Sequence, residues 1–159
     1  MLAGSREFRL TELPGVETIA FDVTDAEAVQ TGVDRAAEFL EGLDCLVHAA
    51  GIDCEWALVG EMTVETWDET VQANLSGTFY VCRAALPHLV AAGGSSIVTM
   101  TSVAAYRVWP RDAAYNASKF GVVGLASALR IECKPRGISV TVVCPPEIET
   151  PMVAEERRT

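Results

Sequence analysis

The sequence is short of positive charge: 12 Lys and Arg stand against 22 Asp and Glu, for a formal net charge of -10. A surface of that sign repels polyphosphates, which argues against nucleic acid as a partner. No run approaches the roughly eighteen consecutive apolar residues that a membrane span needs. The opening Met1-Leu2-Ala3-Gly4-Ser5-Arg6 also lacks the basic segment and apolar stretch of a signal peptide. The expectation is a soluble, unexported, cytoplasmic protein with no membrane partner. Cys45, Cys54, Cys82, Cys133 and Cys144 form no C-x-x-C pair, and an odd count of 5 does not suit a disulfide framework. They read as reduced, mostly buried thiols, with Cys45 and Cys144 serving as small hydrophobes inside apolar runs. A reactive Cys54 beside Gly51 is the less favoured alternative. His48 and His88 lie 40 residues apart with no other ligand types at metal spacing, so no metal site is expected. Aromatic residues make up only 7% of the chain, and no two of its 12 glycines are separated by a single residue, so it contains no G-x-G.

What is present is enough apolar material, 50% of 159 residues, for one core and too little length for two, so residues 1–159 read as a single domain. Val16 to Phe21 is a short apolar run. Asp25 to Leu40 then carries Val29, Val33, Ala36, Ala37 and Leu40 at the spacing of one helical face. Leu43 to Ala50 is again short and apolar and ends at Gly51. Thr63 opens a long helix with Trp67, Val71, Thr78, Cys82, Ala85 and Leu89 on one stripe, closed by Gly93-Gly94. Ser96 to Thr101 is β-rich, Asp112 to Glu132 is helical with Pro135 and Gly137 as stop signals, and Ile138 to Cys144 is β-branched and apolar. Strands that alternate with helices and are apolar on both faces predict a parallel sheet covered on both sides. In such a sheet ligands sit at the carboxyl ends of the strands, here Asp22, His48 to Gly51, Ser102 and Pro145 to Thr150.

Several residues at these ends carry chemistry. Tyr115 and Lys119 are four apart on one helix and share a face. An ammonium close to a phenol stabilises the phenolate and makes it a usable acid or base. In isolation, though, Tyr-x-x-x-Lys more often marks a solvated helix edge. Ser102 ends a strand, where its hydroxyl can bond a substrate oxygen or merely cap a turn. Asn74 lies mid-helix, where Asn has poor propensity and its amide needs buried partners. Its spacing leaves two readings equally open, satisfaction of a neighbouring backbone group or support of a functional water.

Asn74, Ser102, Tyr115 and Lys119 in that order, with His48-Ala49-Ala50-Gly51 and Asp22-Val23 each after a strand and Pro145 followed five residues later by Thr150, resemble the short-chain dehydrogenase/reductase family. The resemblance covers essentially the whole chain. It implies an α/β, Rossmann-like, doubly wound parallel sheet and an NAD(P)-dependent oxidoreductase acting on a small-molecule secondary alcohol or ketone. It also implies the roles: Tyr115 the general acid/base, Lys119 its pKa-lowering partner and ribose ligand, Ser102 the substrate-orienting hydroxyl, Asn74 the support of a proton-relay water. Asp22 and Val23 would meet the adenine, Ala49, Ala50 and Gly51 the riboses, and Pro145, Ile148 and Thr150 the nicotinamide end. Family members form homodimers or homotetramers through their long helices, here Thr63 to Leu89 and Asp112 to Glu132, and Gly121, Gly124, Ala126 and Ala128 offer a small-residue surface for that contact.

The chain departs from the family pattern in places. His48-Ala49-Ala50-Gly51 stands where Asn-Asn-Ala-Gly is commonest, Pro146 stands where Gly is usual, and without a G-x-G the glycine-rich phosphate loop has no counterpart. Met1 to Arg6 looks like the end of the family's second strand. The first strand, its loop and the C-terminal part are therefore expected to be missing, the fold to be incomplete with a gap in mid-sheet, and these residues to be a fragment of a longer enzyme. The alternative is a cofactor-less remnant that acts at most as an association partner. If Leu2-Ala3-Gly4 ends strand two, Ser5-Arg6 stands at the adenosine ribose, and a guanidinium there favours NADP over NAD. Arg6 as a cap on a solvated helix start is the other reading.

Overall fold

The computed structural model describes the backbone of residues 2–3 and the whole of residues 15–148. Arg6 and Thr150 lie outside the described residues. The elements run β1 (Leu2–Ala3), β2 (Glu17–Thr18), α1 (Ala26–Phe39), β3 (Cys45–His48), α2 (Val64–Val71), α3 (Gly77–Ala91), β4 (Ser95–Met100), α4 (Ala113–Cys133) and β5 (Ile138–Val143). Helix starts follow local chemistry. The Asp25 carboxylate accepts from Glu27 N and Ala28 N, and Thr63 Oγ1 accepts from Thr66 N, which occupies backbone donors that a first helical turn leaves open. Gly93 at φ 73° and Gly137 at φ 75° turn the chain after α3 and α4 in the left-handed region that glycine enters without strain.

The long helix read from Thr63 is divided. Between α2 and α3, Gln72–Ser76 forms a π-helical turn, which inserts extra backbone and rotates the following residues relative to the preceding ones. The predicted stripe is broken accordingly: Thr78, Cys82, Ala85 and Leu89 are buried, whereas Trp67 before the turn is 41% exposed.

All strand pairings are parallel, but they form two sheets, β1-β2 and β3-β4-β5. Among the described residues no strand joins the two sheets. Helix α3 packs on β3 and β4, α4 on β5, and α1 on α3. Val29, Val33, Val81, Leu89, Ile97, Leu129, Ile138 and Val140 close the core between these helices and the sheet. Full burial of each such aliphatic side chain contributes about 1.5–3 kcal/mol.

Helices were expected on both faces of the sheet; among the described residues they cover one. The opposite face shows Cys45, Val47, Ser139, Thr141 and Val143 to solvent, with Ser96, Val98 and Met100 half-buried. Cys45 is therefore an exposed thiol and not the buried hydrophobe expected, and Cys144 is only half-buried. The small-residue surface on α4 also divides. Ala126 is buried and a Cβ on Gly121 would lie 2.7 Å from Leu75 Cδ2, so both face inward. Gly124 and Ala128 face outward.

The Asp25 cap holds the start of α1, which packs on α3. Asp25→Ala is expected to lower the unfolding free energy by about 1 kcal/mol in urea titrations, and an unchanged midpoint would contradict the cap.

Candidate functional site

After His48 the chain leaves β3 as Ala49, Ala50, Gly51 and Ile52 and, among the described residues, has no strand to pair with. The side chain of Asn74, brought over it by the π-helical turn, supplies the missing partners. Its Oδ1 accepts from Ile52 N at 2.7 Å, and its Nδ2 donates to Ile52 O at 2.9 Å and to Ser118 Oγ at 3.0 Å. Ser118 Oγ in turn donates to Tyr115 O at 2.8 Å. Of the two readings of Asn74, the geometry favours backbone satisfaction. Both amide hydrogens and one oxygen lone pair are used on protein atoms, which leaves one lone pair for a water. Gly51 passes directly beneath: a Cβ there would lie 3.0 Å from Asn74 Oδ1 and 3.3 Å from Lys119 Nζ. A Cβ at that closeness would oblige the Asn74 amide or the Lys119 ammonium to give way by a few tenths of an ångström.

Lys119 is 7% exposed, which sets aside the solvated-edge reading of the Tyr-x-x-x-Lys pair. Its Nζ stands 5.0 Å from the centroid of the half-buried Tyr115 ring. Burial pulls the ammonium down to about 8, and the Asp53 carboxylate opposes the shift. Thr101 Oγ1 donates to Lys119 O at 3.1 Å and ties the end of β4 to α4. Ser102 follows at once; its Oγ accepts from Ala104 N at 3.1 Å and caps the 3-10 turn Val103–Ala105, which packs on α4. The hydroxyl hydrogen is not used in that bond. Val103 N donates to Pro145 O at 2.9 Å, which draws the chain beyond β5 against Ser102. Ile148 is 53% exposed.

The remaining predicted positions line a cleft of about 2050 Å³ between the segment 21–24 and β3. Asp22 and Val23 form one wall, Ala49, Ala50 and Gly51 the other, and Val33, Ala36, Val81 and Ala85 contribute from α1 and α3. Asp22 Oδ1 accepts from Thr24 N and Thr24 Oγ1, each at 2.9 Å. Val23 is held close to α3, for a Cβ on Gly77 would lie 3.1 Å from Val23 Cγ2. The cleft runs along the edge of β3 that has no paired strand among the described residues. No glycine turn of the G-x-G type exists in the chain to seat the pyrophosphate.

One cluster had no sequence signal. Cys54 Sγ donates to Asp112 Oδ1 at 3.2 Å across 58 residues of chain, and the Tyr115 backbone N–H donates to the same sulfur. With Asp53, one donor atom from each residue lies within 4.8 Å of the others. Ala57 N also donates to Arg111 O at 3.0 Å, and Arg111 is held at φ 71°. The loop after β3 is thereby clamped to the start of α4, one turn before Tyr115. Burial pushes the Cys54 thiol up to about 12, which disfavours the reactive-thiolate alternative, and pushes Asp112 up to about 6.

Residues 7–159 match the family model of the short chain dehydrogenases. The chain is 40% identical over 131 residues to the D-threitol dehydrogenase of Mycolicibacterium smegmatis, covering 82% of this chain and 50% of that one. It is 35% identical over 136 residues to the (-)-trans-carveol dehydrogenase of Rhodococcus erythropolis, covering 85% and 49%. Among solved structures, the carveol dehydrogenase of Mycobacterium avium in complex with NAD superposes with a TM-score of 0.85 at 34% identity, over 87% of this chain and 50% of that one. The chain thus spans about half the length of these relatives.

Asp112 ionises at about 6 in the folded chain and at 3.8 when unperturbed, so the fold favours its protonated form. That contribution is complete below the lower value and is lost as pH rises through the upper one. Relative to the parent chain, Asp112→Asn should flatten the decline in unfolding free energy between pH 4 and pH 7 by about 2 kcal/mol. Urea titrations at several pH values measure this, and identical pH profiles would count against the buried carboxyl.

Proposed function

Because this chain belongs to the short-chain dehydrogenase family, we propose that it serves NAD(P)-dependent hydride transfer between nicotinamide and a small secondary alcohol or ketone. The observation that carries this reading is the buried Lys119 ammonium 5.0 Å from the Tyr115 ring centroid. Burying a lysine costs the fold free energy and brings no packing that an apolar residue would not bring. What it adds is positive charge beside a phenol, which favours the phenolate and suits Tyr115 to move the substrate's proton. Ser102 keeps a hydroxyl hydrogen for the substrate oxygen. Asn74 acts through Ile52 and Ser118 and fixes the backbone around Gly51 and Tyr115.

The dinucleotide supplies the hydride acceptor or donor. Asp22, Val23, Ala49, Ala50, Gly51, Tyr115, Lys119, Pro145 and Ile148 are the described residues we assign to holding it, with Arg6 and Thr150 assigned from the sequence alone. On the strength of Arg6 we propose NADP over NAD. We also propose a cytoplasmic enzyme that is one domain over residues 1–159. It would associate into a homodimer or homotetramer through α2, α3 and α4, a reading supported by the exposed Trp67, Phe79 and Phe120 on those helices. The second reading, a remnant that binds no dinucleotide and only associates with other subunits, is favoured by one observation, the absence of any G-x-G. Titration of the chain with NADP separates the two, since saturable binding supports the first and none supports the second.

In a chain that turns over, Tyr115→Phe keeps the ring and removes only the proton, so kcat should fall about 10²- to 10⁴-fold with cofactor affinity nearly unchanged. Retention of more than a tenth of the activity would sink the assignment. Lys119→Met should weaken cofactor binding as well, yet raise the unfolding free energy at pH 7 by about 3 kcal/mol. The reason is that below pH 8 the parent fold must bury a charge that the unfolded chain leaves in water. A kcat/KM about tenfold or more higher with NADP than with NAD is expected if Arg6 meets the 2′-phosphate, and equal values would remove that residue from the site.

A further inference from the structure

Tyr115 is the third residue of α4, and side chains hold its backbone from both sides. Ser118 Oγ donates to Tyr115 O at 2.8 Å, and Cys54 Sγ accepts from the Tyr115 N–H. An N–H at that place in a helix has no acceptor within the helix, and the residue just before the helix ordinarily supplies one from its own side chain. Asp112 is that residue here. Its carbonyl accepts from Asn116 N at 2.9 Å, yet its carboxylate makes no capping bond to α4. Its backbone lies at φ -122° and ψ 38°, away from the extended region in which a capping Asp reaches its own helix. A parallel bridge between Ala57 and Asp112, with Ala57 N donating to Arg111 O at 3.0 Å, holds it in that conformation. The carboxylate accepts instead from Cys54 Sγ at 3.2 Å. Cys54 arrives on a fixed backbone, because Ile52, two residues earlier, is bonded through both its N–H and its C=O to Asn74.

We propose that Cys54 caps α4 in place of Asp112 and is thereby a positioning residue, which fixes Tyr115 so that its ring stays against the Lys119 ammonium. A thiol suits the place because it accepts one hydrogen bond while donating another. Its proton goes to the Asp112 carboxylate, which leaves the sulfur lone pairs for the Tyr115 N–H. Cys54 and Asp112 are 9% and 6% exposed, so little water competes for either bond. The role needs a protonated thiol, and burial, which pushes Cys54 up to about 12, keeps it protonated. The catalytic meaning of the cap rests on the reading of Tyr115 as the residue that moves the proton; the cap itself does not.

Amide hydrogen exchange on the parent chain, followed by nuclear magnetic resonance, is the first test. The Tyr115 amide should be protected despite its place in a first helical turn, and exchange at the rate of an unstructured chain overturns the cap whether or not any variant folds. Cys54→Ala removes acceptor and donor together and should speed exchange at Tyr115 about three- to tenfold, with the amides of α1 and α3 at the parent's rates. Equal acceleration at all of them, or none at Tyr115, overturns the proposal. Cys54→Ser keeps an acceptor and a donor and should restore the parent's rate. The positioning is read from Lys119, whose Nζ lies 5.0 Å from the Tyr115 ring centroid. Its ε-methylene proton signals, displaced upfield by the ring current in the parent, should move toward those of an exposed lysine in Cys54→Ala and return in Cys54→Ser. Signals unmoved in Cys54→Ala mean that the ring keeps its place without the thiol, and the positioning role falls. Neither measurement reads turnover, so a chain that shows both effects and reduces no ketone counts against the dehydrogenase reading and not against the cap.

Discussion

The amide of Asn74 is the interaction on which the rest of the site depends. A parallel strand that ends in mid-protein leaves backbone N–H and C=O groups that cannot be buried unpaired. Here one side chain answers both groups of Ile52 and reaches Ser118 on α4 with its remaining hydrogen. Three elements that are remote in sequence, the end of β3, the π-helical turn and the first turns of α4, are thereby locked together. Gly51 passes beneath that lock, so close that a Cβ there would press on Asn74 and Lys119. A π-helical turn is an unfavourable way to build a helix, and it is tolerated here where it aims this amide.

Around that lock the chain accumulates states that a purely structural protein would avoid. Lys119 is buried and close to losing its charge, His48 is buried and neutral, Asp112 is buried with its carboxyl drawn toward protonation, and Arg111 adopts a positive φ. They lie within a few residues of the ends of β3 and β4 and the start of α4. Perturbed ionisation and one left-handed backbone position are thus gathered at the carboxyl ends of β3 and β4 and the start of α4. The core on the helix-covered face, by contrast, is ordinary aliphatic packing and carries the stability that offsets these costs.

The cleft and the open sheet face share one cause. A parallel strand presents unpaired backbone groups along each edge and side chains on each face. With no strand on the outer side of β3 among the described residues, water reaches that edge, and Val47 is 62% exposed. Among the described residues no strand joins β1-β2 to the larger sheet, and Ala49 to Gly51 face Asp22 and Val23 across the cleft.

Local chemistry written into the sequence determined the order of strands and helices, the caps at Asp25 and Thr63, the glycine stops, and the placement of Ser102, Tyr115 and Lys119 at strand and helix ends. Each of these depends on residues within a turn or two of one another, so periodicity and propensity suffice to read them. The division of the long helix, the exposure of Cys45, the Cys54 to Asp112 contact and the pairing of His48 with Thr99 were decided only by the tertiary structure. A π-helical turn has no composition of its own, and exposure on a strand depends on what covers its face. A hydrogen bond across 58 residues exists only once packing has brought its ends together. Asn74 shows the boundary most clearly: the sequence marked it as a polar residue in need of buried partners, and only the folded chain supplied Ile52 and Ser118.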